Sequence, residues 1–250
     1  MATDAILQVE DLVGGYGRMT ILNGCSFEVP RGAITTVIGP NGAGKSTAFK
    51  VVFCLLRLQS GRVLLDGADV TNLSPAALIA RGVCYIPQGR NIFAELSVRD
   101  NIELGGVALG TTAALRGRVE AALDRFPILR QKARAQASTL SGGQQKLLEI
   151  SRGLIAEPAL MLIDEPSIGL SPLMMREVFG TLQRLRDGGM SVLMIEQNAR
   201  SALEISDHAI VLEGGRTRLV GPARAMLTDP RVARLFLGAP QAGSAQDYAP

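Results

Sequence analysis

The chain has little of what usually announces redox, metal or nucleic-acid chemistry. It holds three cysteines, Cys25, Cys54 and Cys84, in 250 residues. They are odd in number and about thirty residues apart, which gives neither a disulfide framework nor a metal-ligand spacing, so reduced thiols are expected. His208 is the single histidine. The net charge of +3 is too small to draw a polyanion by electrostatics alone, and no nucleic-acid partner is expected. No apolar run reaches the length a bilayer requires. The start, Met1-Ala2-Thr3-Asp4, lacks the basic and apolar regions of a signal peptide. No internal repeat is visible. These absences point to a cytosolic protein whose contact with a membrane comes through a partner.

Composition is otherwise that of a globular protein, and the length suffices for a substantial core in one large domain or two small ones. Ile6–Glu10, Ile21–Val29, Ala33–Ile38 and Arg62–Asp66 read as strands, with Gly14-Gly15-Tyr16-Gly17 as a turn and Asp66-Gly67 as another. Pro75–Ala80 suggests a short helix, and Val83–Ile86 a buried strand. After Gln88 the pattern changes. Leu115, Val119, Ala122, Phe126 and Leu129 recur at three- and four-residue spacing, one apolar face of a helix or helix pair broken near Pro127. Strands return at Ala159–Ile163 and Ser191–Ile195, continuous apolar runs of the kind buried on both faces. Between them Pro172–Asp187 reads as a helix with Ser171 as its N-cap and Gly188-Gly189 as its stop. Ala209–Glu213 and Thr217–Val220 flank Gly214-Gly215 as a hairpin.

The most informative stretch runs from Ile34 to Thr47. An apolar, β-branched run ends at Gly39. Gly39-Pro40-Asn41-Gly42-Ala43-Gly44-Lys45-Ser46 then follows the G-x-x-x-x-G-K-S phosphate-loop pattern. Its glycines let successive N–H groups converge on one anion, because no Cβ blocks the approach. Lys45 adds a charge for the outer phosphates, and the Ser46 hydroxyl suits Mg²⁺. Thr47 opens the helix expected over Lys45–Leu56, whose N-terminus contributes further positive potential.

Asp164 and Glu165 end the apolar run Leu160–Ile163. An acid at the carboxyl end of a buried parallel strand emerges beside the phosphate loop in an open α/β sheet. Asp164 can hold the Mg²⁺ shell, and Glu165 can orient or deprotonate an attacking water, help worth roughly 10²–10⁴-fold. A third element, Leu140-Ser141-Gly142-Gly143-Gln144, combines a capping box of Ser141 and Gln144 with two glycines that are poor helix formers. The glycines make sense if a ligand must approach the backbone, giving a second anion site. One terminal phosphate does not need two such sites.

Together the loop at Gly39–Thr47, the segment Leu140–Gln144 and Leu162–Pro166 resemble the nucleotide-binding subunits of ABC transporters, in order and spacing, over about residues 5 to 235. The resemblance implies an α/β fold: a P-loop NTPase core of RecA-like mixed and parallel sheet with flanking helices, an antiparallel β subdomain and an inserted α-helical subdomain. The implied division is 1–88 and 156–237 for the nucleotide-binding core, 89–155 for the helical subdomain and 238–250 for a polar tail. ATP and Mg²⁺ are the implied ligands. The segment Ser141–Gln144 of one subunit would close on ATP bound by another, which accounts for two anion sites. The family also implies that Gln88 links Mg²⁺ and the attacking water to the helical subdomain, and that Tyr16 stacks on adenine.

Two departures narrow the family. Where relatives usually carry a histidine at the γ-phosphate, this chain reads Ile195-Glu196-Gln197-Asn198. Gln197 can donate a hydrogen bond but cannot titrate near neutral pH. Ser171 stands where many relatives have Asp. The Glu-Gln-Asn segment and Gln88-Gly89-Arg90-Asn91-Ile92-Phe93 resemble the shorter ATPase subunits of branched-chain amino-acid importers and their urea and amide relatives. That likeness implies transmembrane permease subunits and a related second ATPase as partners, at the cytoplasmic face of the membrane. The alternatives are a lipid or polysaccharide exporter subunit and a soluble ABC ATPase. No sustained heptads stand between phosphate loop and signature to favour the DNA-repair type.

Overall fold

The computed structural model describes residues 4–109 and 113–237; the polar tail expected at 238–250 lies outside the described residues. Among the described residues, ten strands form two sheets. The strands are β1 (Ala5–Tyr16), β2 (Met19–Pro30), β3 (Ile34–Ile38), β4 (Leu58–Leu65), β5 (Ala68–Asp69), β6 (Val83–Ile86), β7 (Leu160–Asp164), β8 (Ser191–Ile195), β9 (His208–Glu213) and β10 (Arg216–Pro222). The helices are α1 (Lys45–Val52), α2 (Pro75–Ile79), α3 (Val98–Glu103), α4 (Ala113–Arg125), α5 (Pro127–Gln131), α6 (Gly142–Leu154), α7 (Pro172–Asp187), α8 (Ala199–Ile205), α9 (Ala223–Met226) and α10 (Pro230–Leu237).

The larger sheet has the order β10-β9-β3-β8-β7-β6, with every pair parallel except β9–β10. Every residue of β3, β7 and β8 is buried, as expected of mostly apolar strands covered on both faces; Thr35, Thr36, Asp164 and Ser191 are the polar residues buried in them. The smaller sheet, β2-β1-β4-β5, is antiparallel. One apolar cluster joins it to the near face of the parallel sheet around α1, with Phe49 fully buried at its centre. A second fills the far face under α4, α6 and α7. Fold class thus matches the expectation, and the helical run 89–155 packs on the far face.

Three local expectations change. The strand expected at Ile6–Glu10 runs on to Tyr16, so Gly14 and Gly15 lie in β1 and the turn is Gly17-Arg18. Gly15 is required there by close approach, since a Cβ would stand 2.1 Å from the Met19 carbonyl oxygen. The strand expected at Arg62–Asp66 begins at Leu58, where Asn72 Oδ1 accepts the Leu58 N–H. The helix expected to reach Leu56 stops at Val52, and Cys54 turns left-handed with φ 56°. Phe53 turns inward there to pack on Tyr85 at 5.2 Å between ring centroids.

Candidate functional site

Strand register gathers the site. Val37 of β3 pairs with Ile195 of β8, and Ile195 pairs with Asp164 of β7. The phosphate loop, Gln197 and Glu165 therefore leave three neighbouring strands at one edge, the carboxyl edge where open α/β sheets bind ligands. His208 begins β9 beside Thr35, at the other end of β3.

The loop is held by its own backbone. A Cβ on Gly39 would lie 2.2 Å from the Leu212 carbonyl oxygen, so only glycine fits against β9. Gly42 and Gly44 take φ values of 80° and 96°, which L side chains resist. Ala43 N–H donates to the Pro40 carbonyl, and the Ala43 carbonyl accepts from Gly215 N–H. Lys45 is buried, and its ammonium donates to the carbonyls of Gly39 at 2.8 Å and Pro40 at 3.1 Å. An ammonium carries three donors, so one remains for a ligand. Burial pushes the Lys45 pKa down, while the charges of Glu165 and Asp164 pull it up.

Asp164 is 1 % exposed, and its Oδ1 has no hydrogen-bond partner among the described residues. Burial is the largest influence and raises its pKa; Glu165 raises it further, and Ser46, Lys45 and Lys50 oppose. An unpartnered buried carboxylate oxygen beside a hydroxyl is a donor set of the hard oxygen type that Mg²⁺ takes. The residues fit that ion.

Glu165 adopts φ 47°, rare for a side-chain-bearing residue, and is fixed there by its N–H bond to the Ile195 carbonyl at 2.9 Å. Its Oε2 accepts from Gln88 Nε2 at 2.7 Å. Gln197 is exposed, and its side chain makes no hydrogen bond among the described residues; its N–H donates to Glu196 Oε2 at 3.1 Å. Tyr16 is 46 % exposed at the end of β1. Lys50 of α1 donates to the Tyr16 hydroxyl at 3.1 Å and lies 5.5 Å from the ring centroid.

The segment Ser141–Gln144 stands apart. Ser141 caps α6, and Gln144 Oε1 accepts from both Ser141 N–H and Lys132 Nζ. Among the described residues no hydrogen bond or ion pair joins it to the phosphate loop. Its glycines differ in cause. A Cβ on Gly143 would lie 2.4 Å from Met174 of α7, so packing alone demands glycine there. Gly142 has ordinary room, with Leu170 at 3.8 Å, and only its bareness is left for a ligand to explain.

Sequence reasoning passed over Glu196. It is 1 % exposed, and its carboxylate takes the N–H groups of Ser167 at 2.8 Å and of Gln197, tying the loop after Glu165 to the segment at Gln197. Burial raises its pKa, against the Ser167 and Gln197 hydrogen bonds. The available signal was an acid directly after a wholly apolar strand.

A lysine-bearing glycine loop between a buried strand and a helix, with two acids at the end of a nearby parallel strand, defines a P-loop nucleoside triphosphatase. Residues 22–168 match the family model described as ABC transporter. The chain is 36 % identical over 223 residues to the high-affinity branched-chain amino acid transport ATP-binding protein BraG of Pseudomonas aeruginosa, covering 89 % of this chain and 95 % of that one. It is also 36 % identical over 234 residues to the probable branched-chain amino acid transport ATP-binding protein LivF of Archaeoglobus fulgidus, covering 93 % and 99 %. The lipopolysaccharide export system ATP-binding protein LptB of Haemophilus influenzae is 30 % identical, covering 94 % and 98 %. Among solved structures, the ADP conformation of MJ1267, an ATP-binding cassette of an ABC transporter, superposes with a TM-score of 0.84 at 31 % identity over 94 % of this chain and all of that one. This chain belongs to the ABC transporter family as an ATP-binding subunit, and it hydrolyses ATP. Among the described residues, no helix is long and apolar enough to cross a membrane.

Proposed function

We propose that the chain is the energising subunit of an importer for branched-chain amino acids or related small solutes. It works with a second ATPase subunit against transmembrane permease subunits, at the cytoplasmic face of the membrane. The hydrogen bond from Gln88 to Glu165 is the observation that carries the reading. It joins the acid beside the phosphate loop to a segment leading out of the site. That segment, with exposed Phe93, lines an open groove of ≈ 660 Å³ between β6 and α6, suited to a loop of the permease.

In this reading Lys45 and the N–H groups of Gly39–Thr47 hold the outer phosphates of ATP, and Tyr16 stacks on adenine. Ser46, Asp164 and Gln88 would hold Mg²⁺, which would neutralise phosphate charge there. Glu165 accepts the proton of the attacking water. Gln197 donates a hydrogen bond to the γ-phosphate. Ser141, Gly142, Gly143 and Gln144 cover the outer phosphate of ATP held by the second subunit, whose corresponding segment covers the ATP held here, so ATP favours the closed pair and its loss the open one. The 36 % identity to two named branched-chain amino-acid transport subunits supports the solute class.

Glu165→Gln should give a dimer on size-exclusion chromatography that forms only with ATP. A monomer that turns ATP over at the wild-type rate would remove Glu165 from this role. The similarity to LptB keeps a lipopolysaccharide exporter as the second reading. ATPase stimulation of the reconstituted complex by leucine with its binding protein, against stimulation by lipopolysaccharide, separates the two.

A further inference from the structure

The segment after Gln88 belongs to the helical part of the molecule. Asn101 of α3, fully buried, accepts the Phe93 N–H at 2.8 Å and donates to the Phe93 carbonyl at 2.9 Å. Among the described residues, the hydrogen bonds that reach 89–91 from outside this turn come from α6. Lys146 Nζ donates to the Gly89 carbonyl at 3.2 Å, Glu149 Oε1 accepts the Asn91 N–H at 2.5 Å, and Arg152 Nη2 donates to the Asn91 carbonyl at 2.5 Å. These three side chains stand at i, i+3 and i+6, one face of one helix. Lys146 and Glu149 also pair with each other at 2.5 Å, with 6 % and 1 % of their side chains exposed. Asn91 closes the turn by donating through Nδ2 to the Pro87 and Gln88 carbonyls at 3.1 and 3.4 Å.

A buried ion pair is weak evidence of stabilisation, since desolvation offsets much of its attraction. Its stronger property here is that each charge satisfies a backbone group of the same short segment. The geometry points to Lys146, Glu149 and Arg152 as positioning residues that fasten 89–91 to α6. The same grip holds Gln88 in reach of Glu165. This inference rests on the proposed roles of Gln88 and Glu165 for its kinetic consequence only; the grip itself does not depend on them.

The test compares two neutral replacements of the pair in the full chain. Lys146→Met with Glu149→Gln removes both charges but keeps an acceptor for Asn91 N–H. Lys146→Met with Glu149→Leu removes the acceptor as well. Hydrogen exchange at the Asn91 amide should accelerate about tenfold or more only in the leucine variant. In that variant kcat for ATP should fall about tenfold, with KM unchanged, because Gln88 loses its placement rather than ATP its loop. Arg152→Met, which leaves the ion pair in place, should show the same split more weakly and serves if the leucine variant does not fold. Equal exchange and equal kcat in the two double variants would overturn the proposal, since the pair would then only fill space. Faster exchange without a change in kcat would keep the grip, yet overturn its link to Gln88.

Discussion

Asp164→Asn should make the nucleotide-free protein more stable while abolishing its ATPase activity. The carboxylate is 1 % exposed, one of its oxygens has no partner, and Glu165 stands next to it with the same charge. An asparagine keeps the shape but removes the buried charge. Relief of an unsatisfied buried charged group is worth about 1–3 kcal/mol. For a chain of this size that corresponds to a melting temperature about 2–10 °C higher.

The pH dependence carries the sign. Burial raises the folded-state pKa of Asp164 above its usual 3.8. Between those two values the native state binds more protons than the unfolded one, so wild-type stability falls as pH rises through the window. Asparagine lacks that fall. The offset between the melting curves should therefore be greatest at neutral pH and vanish below about pH 4, where the carboxyl is neutral in both states. Mg²⁺-ATP should reverse the order: at a hundred times its Kd a ligand adds about 2.7 kcal/mol, and the variant loses most of that. Scanning calorimetry from pH 4 to 8, with and without Mg²⁺-ATP, reads all three effects. A variant that melts at or below the wild type at pH 7 without nucleotide, or an offset independent of pH, refutes the reasoning.

Gly143→Ala should destabilise by about 1–3 kcal/mol, because the new methyl meets Met174, whereas Gly142→Ala should melt like the wild type and lower kcat. Chemical denaturation beside ATPase assays checks the pair. Tyr16→Ala should raise KM for ATP about tenfold with kcat unchanged, as loss of base stacking costs roughly 1–3 kcal/mol; a KM equal to the wild type would leave Tyr16 a hairpin residue. Gln197→His should introduce into the pH profile of kcat an ionisation near neutral pH that the wild type lacks. A wild-type profile already bending near pH 6.5 would show that another group titrates there.

What could be read from the sequence was chemistry confined to a short stretch. Gly39–Ser46 and Asp164-Glu165 each carry their meaning in a few consecutive residues, because backbone N–H groups and strand-end acids act where they stand. The fully buried strands were legible for a similar reason, since Ile34–Ile38, Leu160–Ile163 and Ser191–Ile195 are short runs dominated by apolar residues, with only Thr35, Thr36 and Ser191 polar. What stayed hidden depends on partners far along the chain. Nothing near Lys146 announces Gly89, and nothing near Glu196 announces Ser167. Gly143 was readable as unusual but not as a contact with Met174, so packing is a second reason for glycine that the sequence did not show. The end of α1 was missed because Phe53 leaves the helix for Tyr85, a contact between distant strands and helices.

Two of the hidden contacts share one property: each anchors a segment that carries or adjoins a proposed catalytic residue. Lys146, Glu149 and Arg152 tie the segment after Gln88 to α6, and Glu196 ties the loop after Glu165 to Gln197. Both pivots are buried acids that accept backbone N–H groups, an arrangement that fixes position without occupying the side chains that face ATP. Glu165 itself is held by its own N–H against Ile195, and among the described residues its carboxylate bonds only Gln88. The polar bridge to the proposed catalytic acid thus comes from the start of the segment that α6 grips. In the proposed mechanism, loss of that bridge at the γ-phosphate leaves the segment's hold on α6 intact.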